Sequence, residues 1–570
     1  MFYINFEEEI TMSEQQKNVP VESAAEGLQK TEMSVITVMA MIFCLVSAGC
    51  FGMEEAIPEC GPGLILVMLC VMPFVWGLPF GLVASELGSV RPQTGGYYKW
   101  VQEAFGEFWA FQSGWWRTVS IYIDNTLYVI LAGGYAAQQW DLGTVPEFIL
   151  KFSMIALFAL LNIKGLKEVG AVSTLLSALV FIGFACVAVC GFMNWGADPS
   201  ATLQMTPEPA EGIGDWFFYI AGGISVVMWQ YSGYESMSTI AGEVSNPEVI
   251  PKGTLLTIPL IMATYILPTM GALGSIGHFD EWGPDGYGYS HVLTEYWGPI
   301  WGMIFVIIAI LAQCSIYNTY VASGSRGFFA LSDDNLAPPF LVKLNKQGVP
   351  FAAILSVSIT NVVLCMCPFG LVIVLDVAML VASYILVYLS CMKLRTTIPA
   401  EEYPFRIPGG DTFVRIMCII PIIIAIFAYF VNGSDYYVAG MWGMLSGPIL
   451  YFFWRRKYGG LTKKDPVKYP ANPKTGLQYG DTKRMALLFG LMSIMNVACC
   501  FFLPWYEDWG GEDGWYAEDY FDGMFADADV NVILNVIKIL LYALTAVTVV
   551  LTIVFAALGK KDVNPDEKAA

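Results

Sequence analysis

The sequence predicts an all-α polytopic membrane protein of about fourteen transmembrane helices, two of which are broken. Hydrophobic residues make up 56% of the 570 residues and charged residues 14%, whereas soluble domains carry about 25% charged residues. Apolar runs long enough to cross a bilayer recur along nearly the whole chain. Glycines and carboxylates interrupt two of these runs, at residues 47–56 and 229–236.

The apolar runs define the predicted spans, each placed to within a few residues. They lie at 34–58, 63–89, 104–137, 147–163, 172–193, 214–242, 253–276, 298–325, 350–367, 370–393, 412–431, 437–454, 483–504 and 530–558. A very short turn at Pro368 separates the ninth span from the tenth. The polar segments are a tail at 1–33, a basic loop at 455–482, an acidic loop at 505–529 and a tail at 559–570.

Lysine and arginine are distributed unequally between alternate loops, and this predicts the orientation of the chain. The loops on one side contain neither residue: 138–146, 194–213, 278–297, 432–436 and 505–529. The loops on the other side hold many, including the run Arg455-Arg456-Lys457. Because cytoplasmic loops are the basic ones, both termini are expected in the cytoplasm and the protein in the plasma membrane. The acids of 505–529 either attract cations to an outer entrance or simply follow this topology.

The first interrupted run contains Gly49, Gly52 and two adjacent carboxylates, Glu54 and Glu55. Glycines free the backbone, and an unwound turn leaves amide and carbonyl groups without intrahelical partners. Within a bilayer such groups are tolerated only when they are buried in protein or line a wet cavity. A carboxylate at that depth costs about 2.5–3.5 kcal/mol and usually faces a partner or a pathway. Glu54 is therefore expected to contact a substrate ammonium or carry a proton. The alternatives are a structural acid bonded to freed backbone amides, the role expected of Glu55, or an acid at the outer membrane boundary.

The second interrupted run, Trp229–Ser236, has Gly233 and Glu235 at its centre. Two broken helices in corresponding positions of two halves are the best indication that a sequence gives of a transporter's binding site. A cation over an indole ring is favoured by about 0.5–2 kcal/mol. Trp229 is therefore a candidate for contact with a substrate ammonium, with helix packing as the alternative.

The third span carries two charged residues seven positions apart, Arg117 and Asp124, on one face of the predicted helix. Isolated charges inside a membrane need partners. We expect Arg117 to be a structural counter-ion for Glu86 or another buried acid, and Asp124 to line the transport path. Asp376 is expected near the outer end of its span, where it snorkels or pairs outside the site.

Motifs with ordered spacing run along much of the chain. They are Pro92-x-x-Gly-Gly-Tyr97 with Ala104-Phe-Gly106 and Gly114-Trp-Trp116, then Trp229-x-Tyr-x-Gly-x-Glu235 with Ala241-Gly-Glu-Val-Ser-Asn-Pro247, then Asn345-Lys-x-Gly-Val-Pro350, then Pro404-Phe-Arg-Ile-Pro-Gly409. Together they resemble the amino acid–polyamine–organocation (APC) superfamily of permeases, over roughly residues 34–455. The resemblance implies a LeuT-like core of two inverted five-helix repeats in which helices one and six are broken.

The resemblance also implies a division of the chain and roles for two residues. The two repeats would be 34–193 and 214–393, followed by helices 11–12 at 412–454 and extra helices 13–14 at 483–558. Glu235 matches a position implicated in gating and proton sensing, and Trp229 matches the indole on which the arginine–agmatine antiporter branch stacks its substrate. Phe51-Gly-Met-Glu54 resembles the polyamine-uptake branch, although Cys50 stands where that branch often has proline.

The expected substrate site combines both breaks with the third span. Its residues are Ser47, Ala48, Gly49, Gly52, Glu54, Asp124, Trp229, Tyr231, Tyr234 and Glu235. Ion coupling is assigned to Glu235, Ser323 and Ser325. Glycine-rich backbone amides favour an amino acid, which has a carboxylate, whereas the three acids favour an amine; both substrate classes stay open.

The expected function is secondary active transport of amino acids or related amines and polyamines by alternating access. Symport with protons or sodium and exchange against a counter-solute are both consistent with the sequence. A receptor or sensor that binds without net transport is the alternative. No Ser/His/Asp, HExxH or P-loop motif is present, so an enzyme is not expected. Two histidines and cysteines without a CxxC pair indicate no metal site; no cofactor and no nucleic-acid partner are expected, only membrane lipid.

Overall fold

The computed structural model describes residues 24–46, 49–196, 203–283, 287–367, 369–431, 433–509, 530–560 and 562. This part of the chain is built from helices, and each of the fourteen predicted spans coincides with one helix or with two consecutive helical segments. Nine of the described helices are long and apolar enough to cross a membrane. The all-α polytopic prediction is therefore confirmed.

We number the α-helices in chain order. They are α1 Val35–Val46, α2 Met53–Cys60, α3 Pro62–Val90, α4 Gly96–Phe105, α5 Glu107–Trp140, α6 Thr144–Lys164, α7 Leu166–Met193, α8 Ile213–Gln230, α9 Val249–Ser275, α10 Tyr289–Trp297, α11 Pro299–Asp333, α12 Phe351–Leu364, α13 Phe369–Thr397, α14 Gly410–Val431, α15 Ser434–Tyr458, α16 Asp481–Trp509 and α17 Val530–Gly559. A 3₁₀ helix, Tyr234–Glu243, follows α8 and is called the 3₁₀ segment below.

Both predicted breaks are present. Between α1 and α2 the backbone is left-handed at Gly49 (φ 113°) and Gly52 (φ 85°), and between α8 and the 3₁₀ segment it is left-handed at Gly233 (φ 109°). Only glycine adopts these conformations without strain. Pro368 and two residues of the first break, Ser47 and Ala48, lie outside the described residues.

Side chains from neighbouring helices satisfy backbone groups that the breaks release. Gln230 donates a hydrogen bond to the Phe51 carbonyl (2.5 Å), and the Tyr265 hydroxyl donates one to the Gln230 carbonyl (2.8 Å). The Gly233 amide donates to the Tyr384 hydroxyl (3.0 Å). These bonds explain how unwound backbone is accommodated inside the protein.

Two of the sequence motifs hold the predicted inner side of the bundle together. Glu86 of α3 accepts hydrogen bonds from Arg395 (2.5 Å) and from the Ile407 amide in the Pro404–Gly409 motif (2.7 Å). In the first motif, the Gly95 amide donates to Thr239 in the 3₁₀ segment (3.0 Å). The motifs therefore position the second break from the predicted inner side of the bundle.

The loop between α15 and α16 folds back onto the core. Glu107, at the start of α5, accepts hydrogen bonds from Arg455 (2.8 Å), the Leu461 amide (2.6 Å) and the Tyr451 hydroxyl (2.9 Å). This buried carboxylate fixes the basic loop and the beginning of the α16–α17 pair against the core. Of the acidic loop, residues 510–529 lie outside the described residues.

A second carboxylate, Asp334, joins three segments at the same end of the bundle. It accepts hydrogen bonds from Lys99 (2.5 Å), Lys464 (2.9 Å) and the Tyr98 hydroxyl (2.7 Å). Burial alone would raise the pKa of the Asp334 carboxyl, but the two lysines overcome that effect and hold its pKa well below the usual value.

Replacing Asp334 by asparagine is expected to destabilise the protein by about 2 kcal/mol at neutral pH, since charge-assisted hydrogen bonds to partly exposed lysines are lost. The folded-state pKa lies below the unfolded value of about 3.9, so the stabilisation is present above that value and declines as the pH falls through it. Melting temperatures in detergent from pH 7 to pH 3 should therefore converge for wild type and Asp334→Asn. The exposed Asp280→Asn serves as the control, and a difference that stays constant to pH 3 would contradict this account.

Candidate substrate-binding site

Successive turns of α5 present Arg117, Ser120 and Asp124 toward the protein interior. The Arg117 guanidinium binds Glu235 of the 3₁₀ segment (2.5 Å), and both side chains are 1% exposed. It also donates to Ser120 (3.0 Å) and to Ser236 (3.1 Å). Arg117 is therefore the counter-ion of Glu235 and ties α5 to the second break. It does not pair with Glu86, which binds Arg395.

Asp376 joins this cluster, contrary to the sequence-based expectation. Its carboxylate accepts a hydrogen bond from Ser120 (2.5 Å), and the residue is 1% exposed. It interacts electrostatically with Asp124 on the next turn of α5. Of the two expected roles, Asp376 therefore pairs and does not snorkel at an outer helix end, because α13 packs along α5 and Ser120 satisfies the carboxylate inside the protein.

Aromatic rings surround Asp124. Its carboxylate accepts a hydrogen bond from the Trp229 indole (3.1 Å). The indole stacks on Tyr128 with ring centroids 5.9 Å apart and an angle of 12°, and Tyr128 stacks on Tyr320 at 5.7 Å and 24°. A carboxylate beside electron-rich ring faces favours an ammonium or guanidinium group. The structure thus brings together Asp124 and Trp229, two of the predicted site residues.

A small cavity lies between the two breaks. Its volume is about 10 Å³, which suffices for about one water molecule. It is lined by Val46, Gly49, Phe51, Tyr128, Trp229, Gln230, Gln313 and Ile316. Gln313 is 1% exposed, and its amide oxygen has no hydrogen-bond partner within the described part of the chain. The cavity is therefore bordered by an amide side chain with an unpartnered oxygen and by three aromatic residues.

A larger cavity of about 600 Å³, which we call the vestibule, opens on the predicted outer side of the first break. Its lining includes Gly52, Glu54, Tyr135, Gln138 and His291. The Glu54 carboxylate accepts a hydrogen bond from the Gly52 amide (3.0 Å). Glu54 thus lies in the vestibule and not beside Asp124, so the predicted acids occupy two separate positions.

Phe51 lines both cavities and forms the wall between them. Its ring packs against Phe184 at 4.9 Å, Tyr135 at 5.9 Å and Phe305 at 6.0 Å between centroids. These contacts keep the vestibule and the small cavity apart in this conformation.

Two predicted site residues in the second break face neighbouring helices. The Tyr231 hydroxyl donates to the Leu69 carbonyl (3.0 Å), and its ring packs edge-on against Tyr265. Tyr234 is 2% exposed and packs beside Gly81 of α3. Neither lines the vestibule or the small cavity, and within the described part of the chain neither side chain is hydrogen-bonded to Asp124 or stacked on Trp229, so both are assigned to helix packing.

The serines assigned to ion coupling do not converge. Ser323 donates to the Ser236 carbonyl (3.0 Å), whereas Ser325 donates to the Ala322 carbonyl (3.0 Å) and accepts from Arg326 (3.1 Å). Residues two apart on a helix point in different directions. Their joint use as one ion site is therefore not supported by the geometry.

Sequence reasoning did not assign Gln313, Tyr320 or Tyr384 to the site. Tyr384 donates to Glu235 (2.9 Å) while accepting from Gly233, and so connects the break to α13. One signal was available, because Gln313 is one of two side-chain amides, with Asn318, within the apolar run of the eighth span. Nothing in the sequence marks the two tyrosines among the 29 present.

The vestibule is large enough for a small solute, and it lies next to the small cavity between the paired helix breaks. This is the architecture of a membrane transporter. The family model described as amino acid permease matches residues 33–453, and the chain belongs to this family. The match confirms the predicted APC superfamily and leaves helices α16 and α17 outside the shared core. The protein is a multi-pass membrane transporter and not an enzyme.

Individual relatives agree with this assignment. A probable polyamine transporter of Arabidopsis thaliana is 29% identical over 69% of this chain and 78% of its own. The aromatic amino acid transport protein AroP of Salmonella typhimurium is 26% identical over 67% of this chain and 87% of its own. The crystal structure of MhsT in complex with L-phenylalanine superposes with a TM-score of 0.51 at 14% identity, covering 71% of this chain and 99% of that one. The last comparison confirms the predicted LeuT-like fold.

Proposed function

We propose that this permease transports amines, with linear polyamines as the leading substrates. The observation that carries the proposal is the Asp124 carboxylate held against the Trp229 indole and flanked by Tyr128 and Tyr320. The described residues that line the small cavity include no lysine or arginine, and Arg117 is already bonded to Glu235. The carboxylate of an amino acid would therefore meet no cationic side chain there, only the backbone amides of the first break, whereas an ammonium group has Asp124 as a partner. The relatives named polyamine transporters support the same substrate class.

Transport would follow alternating access between the vestibule and the cytoplasm. The two broken spans, one in each of the proposed repeats at 34–193 and 214–393, hold the substrate and rock against a scaffold of the third, fourth, eighth and ninth spans as the Phe51 wall opens. Glu235 is the proposed coupling residue, since it links the second break to Arg117 and Tyr384. The distribution of basic loops supports cytoplasmic termini and a location in the plasma membrane. Coupling to a proton, to sodium or to a counter-solute would supply the energy.

Uptake into proteoliposomes tests the proposal. Labelled putrescine, arginine, glutamate and leucine are compared under an imposed proton gradient. We expect saturable putrescine uptake, reduced at least about 10-fold in Asp124→Asn because a charge-assisted contact is lost. Glu54→Gln should have a smaller effect, since Glu54 lies in the vestibule. Asp280→Asn, an exposed acid of an outer loop, is the matched control.

The other outcomes discriminate among the remaining functions. Amino-acid uptake without putrescine uptake would contradict the amine proposal and make the acids structural or proton-carrying groups. Movement only when a counter-solute is loaded inside would identify an exchanger. Stabilisation by a ligand without any movement would indicate a sensor.

A further inference from the structure

The buried cluster around α5 holds more acids than bases. Asp124, Glu235 and Asp376 are 3%, 0% and 1% exposed. Arg117, itself 1% exposed, is the cation that faces them within the described part of the chain. If all three acids were ionised, the cluster would carry two uncompensated negative charges. Uncompensated charges are not tolerated in a protein interior, and such groups bind protons or counter-ions.

The three acids do not share Arg117 equally. The guanidinium contacts Glu235 directly at 2.5 Å, whereas it reaches Asp376 only through the Ser120 hydroxyl. Asp124 is hydrogen-bonded by neutral groups, namely the Trp229 indole and the Tyr128 and Tyr320 hydroxyls. Glu235 is thus the paired acid, and the two aspartates are those that lack a cation of their own.

Within the described part of the chain, Arg117 is the cation that interacts with Asp376. The charged and titratable groups of this cluster among the described residues are Arg117, Asp124 and Tyr128 from α5, Glu235 from the 3₁₀ segment, Tyr320 from α11 and Tyr384 from α13. Asp124 follows Ser120, the partner of Asp376, by one helical turn. The two aspartates therefore lie side by side along α5, with Asp124 at the aromatic pocket and Asp376 next to it.

We propose that Asp376 is a second carboxylate of the substrate site, and that both aspartates hold protons in the empty transporter and release them when a diammonium substrate binds. In this step the two carboxylic O–H bonds break and the protons pass to solvent on the side to which the site is open. The two ammonium groups then neutralise the two carboxylates, so no other reactant is needed. The inference rests on the proposed function and specifies its substrate as a dication.

Proton release on binding provides the test. Purified full-length protein in detergent and weak buffer is mixed with putrescine, or with butylamine as the matched monoamine, and a pH indicator records the protons released. We expect about two protons per putrescine bound and about one per butylamine. Asp376→Asn should release one proton fewer per putrescine and the same number per butylamine. Asp280→Asn should behave as the wild type.

A measurement on the wild type keeps the test independent of the variant's folding. The affinity for putrescine should rise about 100-fold when the pH is raised from 6 to 7, because binding displaces two protons. A 10-fold rise, or an unchanged proton count in a folded Asp376→Asn, would overturn the role of Asp376. Binding of putrescine without any proton release would overturn the inference alone. Absence of binding and transport of every amine would instead overturn the proposed function.

Discussion

Replacing Arg117 by glutamine is expected to destabilise the protein by about 3–5 kcal/mol and to abolish transport. The reason is that Glu235 would remain as a buried acid without its cation, and removal of one partner of a buried ion pair has this effect. Ser120 and Ser236 would also lose their hydrogen-bond donor. The melting temperature in detergent and the uptake assay measure the two consequences.

Two further variants show whether the pair itself is responsible. Arg91→Gln removes an arginine whose partner Glu103 is accessible, with side chains 27% and 36% exposed, and should change stability by less than about 1 kcal/mol. The double variant Arg117→Gln/Glu235→Gln should recover much of the lost stability, since no unpaired charge remains. If Arg117→Gln proved as stable as Arg91→Gln, the ion pair could not be what holds the second break to α5.

Replacing Gly233 by alanine is expected to have a comparable effect for a steric reason. A Cβ atom built at this position would lie 2.1 Å from the Leu45 carbonyl oxygen and 2.9 Å from the Tyr320 hydroxyl. The backbone there has φ 109°, which an L-residue adopts only with strain. We expect a loss of at least about 3 kcal/mol, or no folded protein, from strain and clash together.

Gly214→Ala is the matched control, because this glycine is near the start of α8 and faces open space. It should leave the melting temperature unchanged or raise it, since alanine favours a helix by up to about 1 kcal/mol over glycine. Size-exclusion chromatography and thermal unfolding of both variants make the comparison. Equal stabilities for Gly233→Ala and Gly214→Ala would mean that α1 and the second break do not touch as described.

Features that depend on local sequence could be predicted. The spans follow from apolar runs, and the breaks at Gly49, Gly52 and Gly233 follow from glycines that interrupt them. Trp229 and Asp124 were identified as site candidates from their chemistry, and the structure places them in contact. The depth of a residue in the membrane follows from its position along a spanning helix. Spans and breaks can therefore be predicted without knowing how the helices pack.

Features that depend on helix rotation and pairing could not be predicted. Whether Asp376 snorkels or faces inward depends on which face of α13 packs against α5. The residues before and after Asp376 in the sequence are apolar, so the sequence does not identify that face. The partner of Arg117 is 118 positions away in the chain, and several buried acids were available. The separation of Ser323 and Ser325, in contrast, could be predicted from the sequence, because residues two apart on a helix point in different directions.

The position of Phe51 couples two properties of the transporter that could otherwise vary separately. One ring is both the floor of the vestibule and the roof of the small cavity. A smaller side chain there would shorten the time a solute takes to arrive, and would equally shorten the time it stays before escaping backward. Arrival and escape thus depend on the same ring, so a substitution there cannot speed the one without speeding the other.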